Sequence, residues 1–312
     1  MLRLNPSLLT PRPLAAALAL VFTVAACGGQ AKPAPSPSPK FNPVYGVDYG
    51  PWTQGDQPGS QVPDDRIRQQ LQVLKGRSTW IKIGGSTGGV ENAPKIAHEL
   101  GFKVASTAYI NGKPADEAAE IAKLEENVKA GYVDLAIVGN EAVHNALVKP
   151  AALAEMLKRV RQDTSGKVPV ATVEPAKELI ANPILVQSSD VVIANITPFS
   201  FHIPEAQALA WIQDNYKQVQ GAAGGKEVRL GETEWPSEGG AFGPGVVASQ
   251  ENQVAFMSSV VSWSRQNKVG VFLFEAFDEP WLKQVDSSFG PHWGLWSDDL
   301  ALKPGLEVLF KR

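Results

Sequence analysis

The chain has 312 residues, with 29 Lys+Arg against 32 Asp+Glu, a formal net charge of -3, 44% hydrophobic and 20% charged residues. These values exclude wholesale disorder, a collagen repeat and a coiled coil, and without a basic surplus a nucleic-acid partner has no electrostatic support. One cysteine, Cys27, and four scattered histidines (His98, His144, His202, His292) rule out a disulfide framework within the chain and a Cys-based zinc site, and no His pair has helix-face metal spacing.

The first element is an apolar run, Leu14–Ala26, preceded by Arg3 and Arg12. It is too short to span a bilayer, which needs roughly 20 residues, and has the length of a secretory h-region. It ends in Val24-Ala25-Ala26-Cys27-Gly28, which resembles a bacterial lipobox and places the single cysteine where such a motif is lipidated. Residues 1–26 are therefore expected to be a lipoprotein signal peptide, with Cys27 as the lipidated residue. The Pro/Ser-rich stretch after it, to residue 43, suits an extended tether. The expected location is the bacterial cell envelope, periplasmic or surface-facing. Gly28 after Cys27, in place of an Asp, favours the outer membrane.

From residue 44 to 312, short β-branched runs alternate with amphipathic stretches. Strands are predicted to begin near Tyr45, Thr79, Lys103, Val133, Val168, Asp190, Val228 and Val271. Helical spacing is read over Asp65–Leu74 (Ile67, Leu71 and Leu74 on one face), Ala118–Ala130, Ala152–Val160, Ala206–Val219 and Val254–Gln266. Eight strand–helix units over this length predict an α/β fold, a single (β/α)8 TIM barrel, over an open doubly wound sheet. The one glycine-rich candidate for a phosphate loop, Gly84-Gly85-Ser86-Thr87-Gly88-Gly89, has neither G-x-G-x-x-G nor GK[ST] spacing and reads as a mobile strand-to-helix loop.

In such a barrel chemistry gathers at the C-terminal ends of the strands. The fourth strand runs into Gly139-Asn140-Glu141, the seventh into Gly231-Glu232-Thr233-Glu234-Trp235, and the eighth contains Glu275 and ends in Asp278-Glu279-Pro280-Trp281. The first carries Asp48 and Tyr49. No Ser-His-Asp or Cys-His order is visible. Two carboxylates across one rim, one held protonated and one ionised, are what glycoside hydrolysis requires. Several of the eight tryptophans sit beside Gly, Pro and acidic residues, where core Trp is less expected and sugar-facing Trp is apt. Taken singly, each Glu could be a surface charge and each Trp a plug for the barrel end. Glu141 and Glu232 stand out because each comes directly after a strand on the same rim.

The motifs GVDYGPW (46–52), VGNEAV (138–143), VPVATVEP (168–175), GETEWPSEGG (231–240), FEAFDEPW (274–281) and HWGL (292–295), in this order, resemble glycoside hydrolase family 17, in particular its bacterial branch. The resemblance implies a retaining enzyme on β-1,3-glucan, with Glu141 as acid/base, Glu232 as nucleophile, and Trp235, Glu275, Asp278, Glu279 and Trp281 about the sugar; from their places on the rim, Tyr49 and Asn140 are read as further sugar contacts. It implies no metal or organic cofactor, and a monomer is expected. Transglycosylation onto a second glucan, or a catalytically silent glucan-binding lipoprotein, are the alternatives. Three departures from the family pattern matter. Glu234 stands where Gly is usual and offers a competing register for the nucleophile. The sixth strand, Asn195-Ile196-Thr197-Pro198-Phe199, lacks a Tyr before Pro-Phe. Leu282 separates Trp281 from Lys283, so a Lys role transfers poorly to Lys283.

Overall fold

In the computed structural model, residues 41–311 are described. The signal-peptide and Cys27 expectations, and the tether up to residue 40, lie outside them. Eight parallel strands close into a barrel: β1 (Val44–Tyr49), β2 (Ser78–Ile83), β3 (Lys103–Ala108), β4 (Leu135–Asn140), β5 (Val170–Pro175), β6 (Val192–Asn195), β7 (Val228–Glu234) and β10 (Gly270–Phe274), with β10 pairing both β7 and β1. All eight runs read as strands are staves. The predicted starts at Val133, Val168 and Asp190 are early by two residues, because apolar residues on the approach to a strand look like the strand itself.

The helices are α1 (Asp64–Leu74), α2 (Ala93–Glu99), α3 (Pro114–Ala130), α4 (Pro150–Asp163), α5 (Ala176–Ala181), α6 (Pro183–Ser188), α7 (Glu205–Ala222) and α8 (Gln250–Asn267). Their local signals are ordinary ones. α3 opens on Pro114 with Asp116 and Glu117 in its first turn and stops at Gly131, whose φ of 84° suits a left-handed cap. The Ser249 hydroxyl caps α8 by accepting from the Asn252 N–H. The short α2, α5 and α6, and an antiparallel hairpin of β8 (Gly240–Gly243) and β9 (Val246–Ala248) between β7 and α8, escaped the sequence reading. They are too short for a hydrophobic period to register.

Alternation along each strand builds two apolar layers. Ala136 and Val138 of β4 face the helices and join the large outer core, whereas Leu135 and Ile137 join Ala171, Val173, Ile193 and Phe272 inside the barrel. Tyr45 and Trp80 pack on this inner layer, and the Arg229 guanidinium lies 5.2 Å from the Trp80 ring centroid. The inner layer is thus a packed plug. Beyond this layer, the inward positions at the C-terminal mouth carry polar side chains, among them Asp48, Lys82, Asn140 and Glu232.

Candidate active site

Glu141 and Glu232 reach the mouth through two local irregularities. Between Ile137 and Asn140, β4 advances three residues while its partner β5 advances two. Between Leu230 and Glu232, β7 advances two while β6 advances one. An extra residue in a strand reverses the faces of all residues beyond it. Inward Ile137 would by strict alternation put Asn140 outside, and inward Arg229 would put Glu232 outside. The two bulges turn Asn140 and Glu232 inward. Glycine permits both: Gly139 has φ 79°, and a Cβ on Gly231 would lie 2.6 Å from both the Asn195 Oδ1 and the Val173 Cγ1. Glu141 itself is held at φ 56°, and its backbone N–H donates to the Val173 carbonyl at 2.8 Å.

A continuous polar chain links the two glutamates. The Asn195 side-chain amide donates to Glu141 Oε1 at 2.8 Å and to Asn140 Oδ1 at 3.3 Å. The Asn140 amide donates to Glu232 Oε1 at 2.9 Å, and Lys82 Nζ donates to the same oxygen at 2.8 Å. Lys82 also pairs with Asp48 Oδ1 at 2.7 Å. Both of these bonds to Glu232 fall on Oε1. The Glu232 Oε2 therefore carries no hydrogen bond among the described residues.

The two carboxyls sit in different surroundings. Burial, and then the nearby Glu232 charge, push the Glu141 carboxyl above its ordinary range, opposed by the Asn195 amide. Glu232 instead touches a lysine that is 2% exposed. Burial alone would lower the Lys82 pKa, but the Asp48 and Glu232 carboxylates outweigh it and raise it, so the ammonium stays charged. A carboxyl whose proton affinity burial raises, beside a second carboxyl paired with a cation, is the asymmetric arrangement that double displacement at a glycosidic carbon uses.

A cavity of about 540 Å³ opens beside Glu232, within the range of small-molecule sites, and Glu141 lies behind its lining, joined to it through Asn195 and Asn140. Its lining brings together Asp48, Lys82, Asn140, Glu232, Glu275 and Glu279 with the rings of Trp52, Tyr109, Phe274 and Trp281. Burial pushes the Glu279 carboxyl up to about 8 against the Trp281 N–H that donates to it at 2.6 Å, and burial raises Glu275 well above the usual range. Tyr49 lies on the lining, but its hydroxyl is engaged by Gln70 Oε1 at 2.6 Å.

Two expected sugar contacts belong elsewhere. Trp235 is fully buried between β7 and α8, packed on Phe199 and Phe256 with its N–H donating to the Val247 carbonyl at 2.9 Å. The acidic and Pro neighbours that suggested exposure are compatible with burial, because Trp235 turns to the helix side past the bulge. Asp278 accepts from Lys303 Nζ at 2.7 Å and the Gly294 N–H at 2.9 Å, off the cavity. Glu234 is 3% exposed, held by the Ser200 hydroxyl at 2.9 Å and away from the lining, so of the two registers it is Glu232 that faces the cavity.

The sequence reading passed over Lys82, Asn195 and Glu120. Lys82 left one signal, a lone lysine among Trp80, Ile81 and Ile83. The glycine-rich loop differs from its reading as mobile: the Glu120 carboxylate of α3 accepts from the backbone N–H groups of Ser86 (2.7 Å), Thr87 (2.9 Å) and Tyr109 (2.9 Å) and from the Thr87 hydroxyl. Similarly, Glu174 at the end of β5 accepts from the Val143 and His144 N–H groups at 2.8 and 3.1 Å, fixing the loop that carries Glu141.

Comparison with known proteins finds a family match over most of the barrel. The BtgE/BtgC glycoside hydrolase domain matches residues 46–294. A probable glucan endo-1,3-beta-glucosidase, btgC, of Aspergillus fumigatus is 28% identical over 307 residues, covering 84% of this chain, which in turn spans only 43% of that relative's length. The glucan 1,3-beta-glucosidase BGL2 of Candida albicans is 26% identical over 264 residues, covering 77% of this chain and 85% of its own. The crystal structure of a glycoside hydrolase family 17 β-1,3-glucanosyltransferase from Rhizomucor miehei superposes with a TM-score of 0.76 at 26% identity, over 85% of this chain and 97% of that one.

Proposed function

Since this chain belongs to the BtgE/BtgC glycoside hydrolase domain family, we propose that it cleaves β-1,3-glucan with retention, by double displacement on Glu232 and Glu141. The observation that carries this reading is the bridge of Asn195 and Asn140 between the Glu141 carboxyl and the lysine-paired Glu232 carboxyl. In the first step Glu232 Oε2 attacks the anomeric carbon. The bond to the leaving oxygen breaks, Glu141 gives that oxygen its proton, and a glycosyl ester forms on Glu232. In the second step Glu141 takes a proton from the incoming hydroxyl, whose oxygen attacks the same carbon and releases Glu232. Asn140, between the two, lines the cavity and holds the Glu232 carboxyl through its amide. Glu275, Glu279 and Trp281 on the lining are the sugar contacts of this reading.

Water as acceptor gives hydrolysis, and a second glucan gives transfer. The likeness to the R. miehei transferase, also solved as an active-site mutant in complex with laminaritriose, supports transfer as a second outcome on the same residues. The reading extends to a lipid tether at Cys27 and to a bacterial envelope location, supported by the lipobox-like run and the Pro/Ser-rich stretch, with a monomeric catalytic domain over 44–312. Incubation with defined β-1,3-gluco-oligosaccharides, with mass and anomer analysis of the products, tests the activity. Retained β-anomers are expected, and products longer than the substrate identify transfer. Glu232→Ala is expected to lose turnover by more than about 10³-fold with its fold intact. Near-wild-type turnover in that variant, or no action of the parent on any β-glucan, sinks the reading.

A further inference from the structure

We propose that Lys82, anchored by Asp48, is the positioning residue that fixes the Glu232 carboxylate by Oε1 and keeps it ionised inside an acidic cavity. The proposal rests on the nucleophile reading of Glu232. Its geometry is closed on two sides. The Lys82 ammonium, 2% exposed on β2, meets Asp48 Oδ1 at 2.7 Å and Glu232 Oε1 at 2.8 Å, and its strand neighbours are apolar. A buried ammonium without partners is costly, so a lysine at this place persists only because carboxylates face it. The converse bears on the reaction. The titratable groups that face Glu232 are Asp48 from β1, Lys82 from β2, Glu141 at the end of β4, Glu234 on its own strand and Glu275 just past β10, and burial raises the pKa of all four carboxyls. Asn140 and Asn195 add only neutral amides. Four carboxyls therefore surround this carboxylate, with one cation among them. Remove that cation, and Glu232 competes with its neighbours for protons at the pH where it must attack.

Fixing Oε1 has a second effect. With Lys82 and Asn140 both on that oxygen, the attacking lone pairs are confined to Oε2. Lys283, the lysine nearest in sequence to the eighth strand's motif, has no contact with Glu232 among the described residues.

The test is a carbon-13 titration of glutamate-labelled protein from pH 3 to 9, with the Glu232 carboxyl signal identified by its loss in Glu232→Gln. An opposite charge within about 4–6 Å shifts a carboxyl by roughly 1–3 pH units. In Lys82→Met the Glu232 midpoint is expected to rise by about that amount, and in Lys82→Arg to stay near the parent value. Because ionised Glu232 is then lost at higher pH on acidification, the acidic limb of kcat/KM on laminari-oligosaccharides is expected to move up equally, with kcat falling more than KM changes. If Lys82→Met does not fold, Asp48→Asn is read instead. It leaves the Lys82 ammonium to Glu232 alone, so the midpoint is expected to fall. An unmoved Glu232 midpoint, or a Lys82→Arg shift equal to that of Lys82→Met, overturns the proposal. The two readings fail separately. A moved midpoint in an inert parent keeps the clamp and removes the glucanase reading, whereas an active parent with an unmoved midpoint does the reverse.

Discussion

At position 234 a carboxylate sits two residues along β7 from Glu232, fully enclosed, with the Ser200 hydroxyl and N–H on Oε1 and no hydrogen bond to its buried Oε2. Burial raises its pKa well above the usual range, outweighing the Ser200 bonds, and the folded state therefore binds that proton more tightly than the unfolded chain does. Stability is consequently lost as pH rises from the ordinary Glu range toward the raised value. Glu234→Gln keeps the Ser200 bond to Oε1 and removes the titration. Its melting temperature is expected to exceed the parent's at pH 8, with the gap closing toward pH 4.5; thermal melts at both pH values check this. The residue scale also shows the limits of composition. Trp235 and Trp296, with Gly, Pro or acidic residues close by in sequence, are both fully buried, while Trp52 and Trp281 do line the cavity. Sequence neighbours report where the chain turns, and the direction of a ring depends on which face the strand presents after its bulge.

The loops between strands and helices are held by carboxylates from neighbouring elements, and this decides the shape of the cavity. Glu120, on α3, ties the loop after β2 to the end of β3, and both edges of that tie, Thr87 and Tyr109, line the cavity. Four donors converge on one buried carboxylate, and hydrogen bonds to a charged group contribute about 1.5–3 kcal/mol each when lost singly, with strong overlap. Glu120→Ala is expected to destabilise by about 2–4 kcal/mol in urea unfolding at an unchanged m-value. It is also expected to raise KM for oligosaccharides while the acidic limb of the pH profile stays in place, which separates a loop tether from the Lys82 effect. None of this was legible in the Gly84–Gly89 run, because the residue that orders it lies 33 positions from Thr87. The bulges in β4 and β7 escaped for the same reason: a bulge is a mismatch between two strands, and one strand read alone has no register.

At the scale of the whole molecule, the barrel closes where β10 meets β1, and both chain ends of the described unit are fastened there. Arg265 on α8 donates to the carbonyls of Asn42, Pro43 and Leu309. The catalytic unit is thereby pinned just after the proposed tether. If Cys27 carries lipid, each buried CH₂ contributes about 0.8 kcal/mol of membrane affinity. The full chain made in a bacterial host is expected to partition into the detergent phase with a lipid-increased N-terminal mass, and Cys27→Ser to lose both; an unmodified Cys27 in the mature protein removes the tether from the reading. Eight strands, five long helices and the placement of Glu141 and Glu232 at the C-terminal ends of their strands were legible in residue order, because strand and helix periods, turn glycines and a strand-end motif are local patterns that survive in one dimension. The tertiary structure alone decided the rest. It set which faces Asn140 and Glu232 present after their bulges, that Trp235 belongs to the core, and that Lys82, 150 residues away from Glu232, is its charged partner. The reason is that a closed sheet makes neighbours of residues that no local period connects, and a buried charge chooses its position by the partners that remain when water is excluded.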